Sequence, residues 1–372
     1  MHNYTTVNVS NNTLVVLPLD AVPILDPALL DAAGVRAAQE FVADGTPENT
    51  ARSYASALRY WAAWFGLRYG RVFGEQPVSV AVVSQFVVDH LQRNTKDGLR
   101  QELPAAVDAR LVELGAKGKL GPLAHATVAH RLAVLAKWHR LQHWDAPGDD
   151  HRIKTLMAKA RRAQAKRGVT VRKKTALVAE PLQAMLATCT DGVRGVRDRA
   201  LLLLAWSGGG RRRSEVVGLQ VEDLRRINET TWTYALGTTK TDTTGKRREK
   251  PLRGEVVVAL QAWLDVAKLT EGPLFRRLYR GGGSGAGLSP DQVARIVQRR
   301  ALLAGLAGDW AGHSLRSGFV TEAGRQGVPL GEVMAMTEHR SVGTVMGYFQ
   351  AGALLTSRAI DLLPVARKVV ED

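Results

Sequence analysis

Between Pro27 and Lys166 apolar residues return every three to four positions, the mark of helices with one buried face. In PENTARSYASALRYWAAWFGLRYG the stripe is Tyr54, Leu58, Trp61 and Phe65, with Arg52 and Arg59 off it. PVSVAVVSQFVVDHLQ and ATVAHRLAVLAKWHRLQHW repeat the pattern, and Pro77 suits a helix start. Helical spacing already accounts for these aromatic residues as core. Residues 1–26, rich in Asn, Thr and Val, hold no sustained period and predict a flexible arm. RGVTVRKKTALV lacks apolar periodicity too. Gly168 and the β-branched residues at 169–171 favour extended chain there, a basic interdomain linker over 167–176. Helices resume with EPLQAMLATC and VRDRALLLLAW, break at SGGG, and continue as RRRSEVVGLQVEDL. TTWTYALGTT and KRREKPLR flank the polar turn KTDTTG and predict a small antiparallel hairpin. RGGGSGAG at 280–287 reads as a flexible connector. In LSPDQVARIVQRRALLAGL, Ser289 and Pro290 supply a cap and a first-turn residue. The fold class is mainly α: a helical domain over 27–166, then a mostly helical domain over 177–352 with a small antiparallel β-sheet.

Composition narrows the function. A chain of 372 residues with 45% hydrophobic content can bury two cores. The longest apolar run, ALLLLAW at 200–206, is too short for a bilayer, and the N-terminus lacks a secretory pattern. Cys189 is the single cysteine, so neither an intrachain disulfide nor a cysteine-based zinc site can form, and a reducing, cytoplasmic setting fits best. GTTKTDTTGKR has the wrong spacing for a phosphate-binding loop, which excludes ATP binding of that kind. Charge says more. There are 51 Lys and Arg against 35 Asp and Glu, a formal +16. Residues 151–174 carry ten of these cations and no acid: Arg152, Lys154, Lys159, Arg161, Arg162, Lys166, Arg167, Arg172, Lys173 and Lys174. Residues 1–35 carry none. Charge segregated in this way points to nucleic acid, with this run as the candidate DNA-binding segment.

Four groups in the second half could do chemistry. GGGRRRSEVVGL sets Arg212 and Glu215 on one helix face, next to free amides at a helix start. GTTKTDTTG places Lys240 at the tip or shoulder of the hairpin, and GHSLRSG pairs His313 with Arg316. TEHRSVGTVMGYF carries His339 and, nine positions on, Tyr348. Each alone is bland: a solvated turn, a surface lysine, a helix pair, an anchoring aromatic. Together they supply what attack on a phosphodiester needs. Arginines clamp the oxygens that gather charge, histidine donates or accepts a proton, lysine protonates the leaving oxygen, and a phenol attacks.

The order Arg, Glu, Lys, H-x-x-R, His, Tyr resembles that of the tyrosine recombinases. RRSEVVGL is similar to their first-arginine box, HSLRSG to the second, and EHRSVGTVMGYF to the histidine-to-tyrosine segment; the likeness spans about residues 27–360. The resemblance implies a two-domain C-shaped clamp on DNA, with 27–166 as core-binding domain and 177–352 as catalytic domain. It makes Tyr348 the nucleophile of a 3′-phosphotyrosyl link. Arg212 and Arg316 would hold the phosphate with His313 and His339, Lys240 would be the general acid, and Glu215 would orient its neighbours. Neither cofactor, metal nor ATP is implied. Partners would be double-stranded sites with inverted half-sites and three further copies in a homotetramer. The segment 353–372, with Leu354, Leu355, Ile360, Leu362 and Leu363, would form a helix exchanged between protomers. The expected function is site-specific recombination through a Holliday junction, in the cytoplasm on the nucleoid. Type IB topoisomerase or hairpin-telomere resolvase activity is the alternative enzyme, a non-catalytic DNA-binding accessory protein or an RNA-binding helical protein the alternative class.

Overall fold

The computed structural model describes residues 5–9, 12–16, 36–37, 40–42, 44–169, 173–190, 192–237, 248–279, 283–339 and 341–353. Tertiary contacts divide the chain into a unit ending at Thr170 and one beginning at Val171. Among the described residues, no helix is long and apolar enough to cross a membrane.

Among the described residues the first unit is built on helices α1 Glu48–Tyr69, α2 Val80–His90, α3 Ala105–Glu113, α4 His125–Leu141 and α5 His151–Lys166. The stretch expected to be a flexible arm contains an antiparallel pair, β1 Thr5–Val9 with β2 Asn12–Val16, whose many Thr and Val suit extended backbone. A second pair interrupts the helical half, β3 Arg93–Thr95 with β4 Gly98–Arg100. Its signal was the Asp97-Gly98 turn, with Gly98 at φ 104°. The buried face of α1 is also rotated from the expected stripe. Ala57, Tyr60, Trp61 and Trp64 are buried, while Tyr54, Leu58 and Phe65 are half-buried. The indoles win the centre because their N–H groups find acceptors there: Trp61 donates to Arg131 O at 3.0 Å and Trp64 to Asp89 Oδ2 at 2.9 Å. Pro77 lies ahead of α2 rather than in it. The helix opens at Ser79, whose hydroxyl accepts from Val82 N–H.

The second unit runs α6 Ala179–Ala187, α7 Gly192–Ser207, α8 Arg213–Gly218, β5 Leu224–Arg226, β6 Thr231–Leu236, β7 Arg248–Arg253, α9 Glu255–Ala267, β8 Arg276–Leu278, β9 Ser284–Gly287, α10 Pro290–Leu303, α11 Gly312–Arg325, α12 Leu330–Thr337 and α13 Val342–Ala353. The helix expected over RRRSEVVGLQVEDL stops at Gly218, and its remainder becomes a 3-10 turn and the strand β5. Leu219 turns extended to bury its side chain and accept from Leu274 N–H. The hairpin β6–β7 thus gains β5 on the free side of β6, giving a three-stranded antiparallel sheet. Part of the Gly-rich connector is strand as well, since Ser284–Gly287 pairs with β8. The run Ala200–Ala205 is buried at the centre of this unit with Trp263, Leu274 and Phe275.

Helices α11 and α13 cross at glycines. A Cβ on Gly352 would lie 1.9 Å from Thr321 O, and one on Gly324 would lie 2.2 Å from Phe349 O. Side chains larger than hydrogen would force the helices apart. Gly352→Ala is therefore expected to destabilise the chain by about 1–3 kcal/mol. Gly347→Ala meets nothing within 4 Å and should be neutral or gain up to about 1 kcal/mol of helix propensity. Denaturant unfolding of the two variants measures the contrast.

In the first unit Tyr60 donates to His90 Nε2 at 2.5 Å, and His90 Nδ1–H donates to Phe86 O at 2.7 Å. Burial pulls the His90 imidazole from 6.5 down to about 3. Between those values the unfolded chain binds a proton that the folded chain refuses, so stability falls as pH drops through that window. One such proton contributes a slope of up to about 1.4 kcal/mol per pH unit. Thermal melting of the whole chain from pH 7 to 4 should fall less steeply in His90→Gln than in wild type.

Candidate active site

Helix α7 ends in three glycines, and their backbone sets the site. Gly209 has φ 100° and Gly210 φ 62°; a Cβ on the first would sit 2.5 Å from Met336 O and on the second 2.9 Å from Arg316 Cα. Only glycine allows both the left-handed turn and this approach. Just beyond, the three arginines diverge. Arg211 is fully buried and donates through Nη2 to Gly209 O at 3.0 Å and to Met336 O. Arg213 points outward to Asp291, 2.7 Å away. Arg212 caps α8: its backbone N–H donates to Glu215 Oε2 at 3.0 Å and its guanidinium to Glu215 Oε1. Glu215 also lies 3.6 Å from Arg211 Nη1. It thus fixes two arginines at once.

His313 and Arg316 come from the first five residues of α11, on one face of the helix. Arg316 is 4% exposed. Its Nη1 donates to Gly210 O at 3.0 Å, Nη2 to Thr337 O at 2.7 Å and Nε to His339 Nε2 at 3.2 Å. A guanidinium has five N–H groups, so one on each Nη remains to be given. Thr337 hydroxyl donates to Val333 O at 2.8 Å and accepts from His339 Nδ1–H at 2.7 Å.

Tyr348, on α13, closes the group. Its ring packs against the apolar cluster that contains Val320, Val333 and Val345, while its hydroxyl lies 3.2 Å from His313 Nε2. Lys173 Nζ stands 5.6 Å from the ring centroid. The structure therefore brings Arg212, Glu215, His313, Arg316, His339 and Tyr348 together. Lys240 lies outside the described residues. Arg211, which sequence reasoning passed over in favour of Arg212, joins the cluster as its most buried cation. The only sequence sign of it was the triple arginine itself.

The electrostatics are those of an anion site. Burial first, then Arg212, draws Arg316 down to about 10, still protonated at neutral pH. Burial, Arg316 and Arg212 hold His313 below its usual value. The same influences, with Arg211 and His313 added, take His339 to about 4. Both imidazoles are thus neutral at pH 7. Cations outnumber carboxylates here, and a bound anion would relieve that excess. Among the described residues no three His, Cys, Asp or Glu side chains group so as to hold a metal ion.

The basic run is mostly α5. Ile153, Leu156, Met157 and Ala160 face the core of the first unit. Lys154, Lys159, Arg161, Arg162 and Lys166 are exposed. Some cations are already engaged: Arg152 with Asp150 at 2.9 Å, Lys154 with Asp149 at 3.9 Å, Arg167 with Gln92 O at 3.1 Å and Lys174 with Asp309 at 2.6 Å. Among the described residues no acidic partner faces Lys159, Arg161, Arg162 or Lys166. Arg172 lies outside the described residues.

Residues 176–353 match the phage integrase family. An integrase/recombinase XerD homolog of Selenomonas ruminantium is 31% identical over 248 residues, 63% of this chain and 71% of that protein. The recombinase Cre of Escherichia phage P1 is 23% identical over 320 residues, 82% of this chain and 84% of Cre. In fold, the chain resembles the XerH site-specific recombinase in a post-cleavage complex with its palindromic difH substrate. That likeness has a TM-score of 0.53 at 17% identity, over 84% of this chain and 79% of the other. It also resembles the Tn1549 transposon integrase in complex with transposon right-end DNA, at TM-score 0.51 and 15% identity, over 87% and 98%. The chain belongs to the phage integrase family of tyrosine recombinases and is a site-specific recombinase.

Proposed function

We propose that this recombinase cuts and rejoins double-stranded DNA by attack of the Tyr348 hydroxyl on a backbone phosphate. One observation carries the reading: the phenol oxygen lies 3.2 Å from a neutral imidazole, His313, in a cluster with Arg212 and Arg316. The phenol oxygen bonds to phosphorus as its proton passes to His313 Nε2. The bond from phosphorus to the 5′ oxygen breaks, and Lys240 protonates that departing oxygen to give a 5′-hydroxyl. Arg316 offers its two remaining Nη protons and Arg212 its outer edge to the phosphate oxygens, where charge builds in the transition state. Glu215 holds Arg212 in place. His339 acts through Arg316, whose Nε–H donates to His339 Nε2. The product is a 3′-phosphotyrosyl ester that keeps the energy of the broken bond. A 5′-hydroxyl from a second duplex reverses the step, and two rounds through a Holliday junction complete recombination.

On this reading both units meet DNA. Lys159, Arg161, Arg162 and Lys166 neutralise phosphates along the outer side of α5, which positions the protein without reading bases. Two sites with inverted half-sites would assemble a homotetramer. The segment 353–372 proposed to pass between protomers lies, beyond Ala353, outside the described residues. The relatives named above are recombinases and integrases, so the topoisomerase and accessory-protein readings have no support beside this one.

The decisive test uses nicked duplexes from the DNA flanking its own gene, with chelator present. Wild type should form a covalent adduct that survives denaturation, and Tyr348→Phe should bind but form none. Continued cutting by the Phe variant would remove the assignment. For the basic helix, each phosphate contact contributes about −0.9 to the slope of log affinity against log salt. Lys159→Ala with Arg162→Ala should lower that slope by about two on random-sequence duplex.

A further inference from the structure

Helix α12 runs into His339, and its last three carbonyls each accept from a cation on a different element. Arg211, between α7 and α8, donates to Met336 O, and Arg316 of α11 donates to Thr337 O at 2.7 Å. Both belong to the cluster already described. The third does not. Lys250, on β7, donates through Nζ to Ala335 O at 2.7 Å, and the same nitrogen lies 3.3 Å from Glu338 Oε1. The side chains of Lys250 and Glu338 are only 12% and 6% exposed.

Glu338 is an unusual residue for its position. It ends α12 in the left-handed conformation, φ 56°, with its N–H returned to Met334 O at 2.9 Å. That conformation favours glycine, then asparagine, and strains other residues. A glutamate there gives up backbone comfort, and what it gains in this structure is the ion pair with Lys250. A near-buried carboxylate without its cation would be costly. Pairing fixes both partners: Lys250 faces Tyr234 across β6–β7, and Tyr234 in turn donates to Gly208 O. The sheet, the glycine turn and the residue before His339 are therefore tied through two buried polar contacts.

We infer that Lys250 is a positioning residue for the recombination reaction, holding the α12 terminus and hence His339 through Glu338 and Ala335 O. The inference rests on the proposed roles of His339 and Tyr348. Lys250 itself touches neither DNA phosphate nor nucleophile in this scheme.

The test uses the full chain and a nicked duplex that wild type cleaves, with Tyr348→Phe as the blank. Single-turnover cleavage is measured at saturating DNA, and affinity separately. Lys250→Met should slow cleavage by about 10- to 100-fold, the scale of a misplacement near 1 Å, with affinity within about twofold. Glu338→Gln approaches the same contact from the other side and covers the case in which Lys250→Met does not fold. The double variant should be no slower than the slower single one, since both remove one contact. Glu338→Gly gives the backbone its preferred residue while deleting the carboxylate, and should still be slow. Wild-type rates in Lys250→Met or Glu338→Gly, a loss confined to affinity, or additive losses in the double variant would each overturn the inference. Cutting by the Tyr348→Phe blank would instead overturn the underlying assignment of the nucleophile.

Discussion

Like charges crowded into a protein interior need something other than counter-ions to hold them, and here it is backbone carbonyl. Arg211 and Arg316 are 0% and 4% exposed. They are anchored by Gly209 O, Gly210 O, Met336 O and Thr337 O. Carbonyl dipoles fix a guanidinium without cancelling its charge. Glu215 alone would neutralise one arginine of the three it serves or adjoins. Burial first, and then Arg212, loosen the Arg316 proton to about 10. In the proposed reaction a phosphate diester supplies what the fold withholds, beside the proposed nucleophile.

Glycine makes that arrangement possible at two scales. Gly209 and Gly210 let carbonyls approach the arginines from the α7 side, at φ values other residues resist. Gly318, Gly324 and Gly352 act through size alone. A Cβ at Gly318 would lie 1.9 Å from Leu177 O, which pins α11 to the segment ahead of α6. The α11–α13 crossing then sets the Tyr348 hydroxyl against His313. Apolar packing secures the half-buried ring, which lies against the cluster that contains Val320, Val333 and Val345. Placement of the Tyr348 oxygen thus rests on backbone proximity between helices together with its one side-chain contact, to His313 Nε2 at 3.2 Å.

These sources of order explain what was legible beforehand. The helical half, the β6–β7 hairpin and the residues of the cluster follow from periodicity and from short motifs, because each is local in sequence. The face of α1 was misjudged by about one position: Phe65 and Trp64 are equally apolar neighbours, and only the distant Asp89 decides between them. RRRSEVVGLQVEDL reads as one helix on propensity, yet Leu219 is drawn out of it by Leu274. Arg211 was invisible for the same reason. Its acceptor Met336 O is 125 residues away. Glu338 gave no hint of its left-handed backbone, which Lys250 supports from another element.

The direction of hydrogen bonding around His339 completes the logic. Val333 O can only accept, so the Thr337 hydroxyl must donate to it, and its free lone pair must take a proton from His339 Nδ1. Nε2 is then left bare and accepts from Arg316 Nε. A protonated His339 would present a proton to a proton and repel Arg316. Its fall to about 4 is therefore the condition under which the arginine keeps its orientation. The polarity that begins at a helix carbonyl thus ends at the two guanidinium protons still free for an anion. A donor in place of His339 would have to break this chain at its middle.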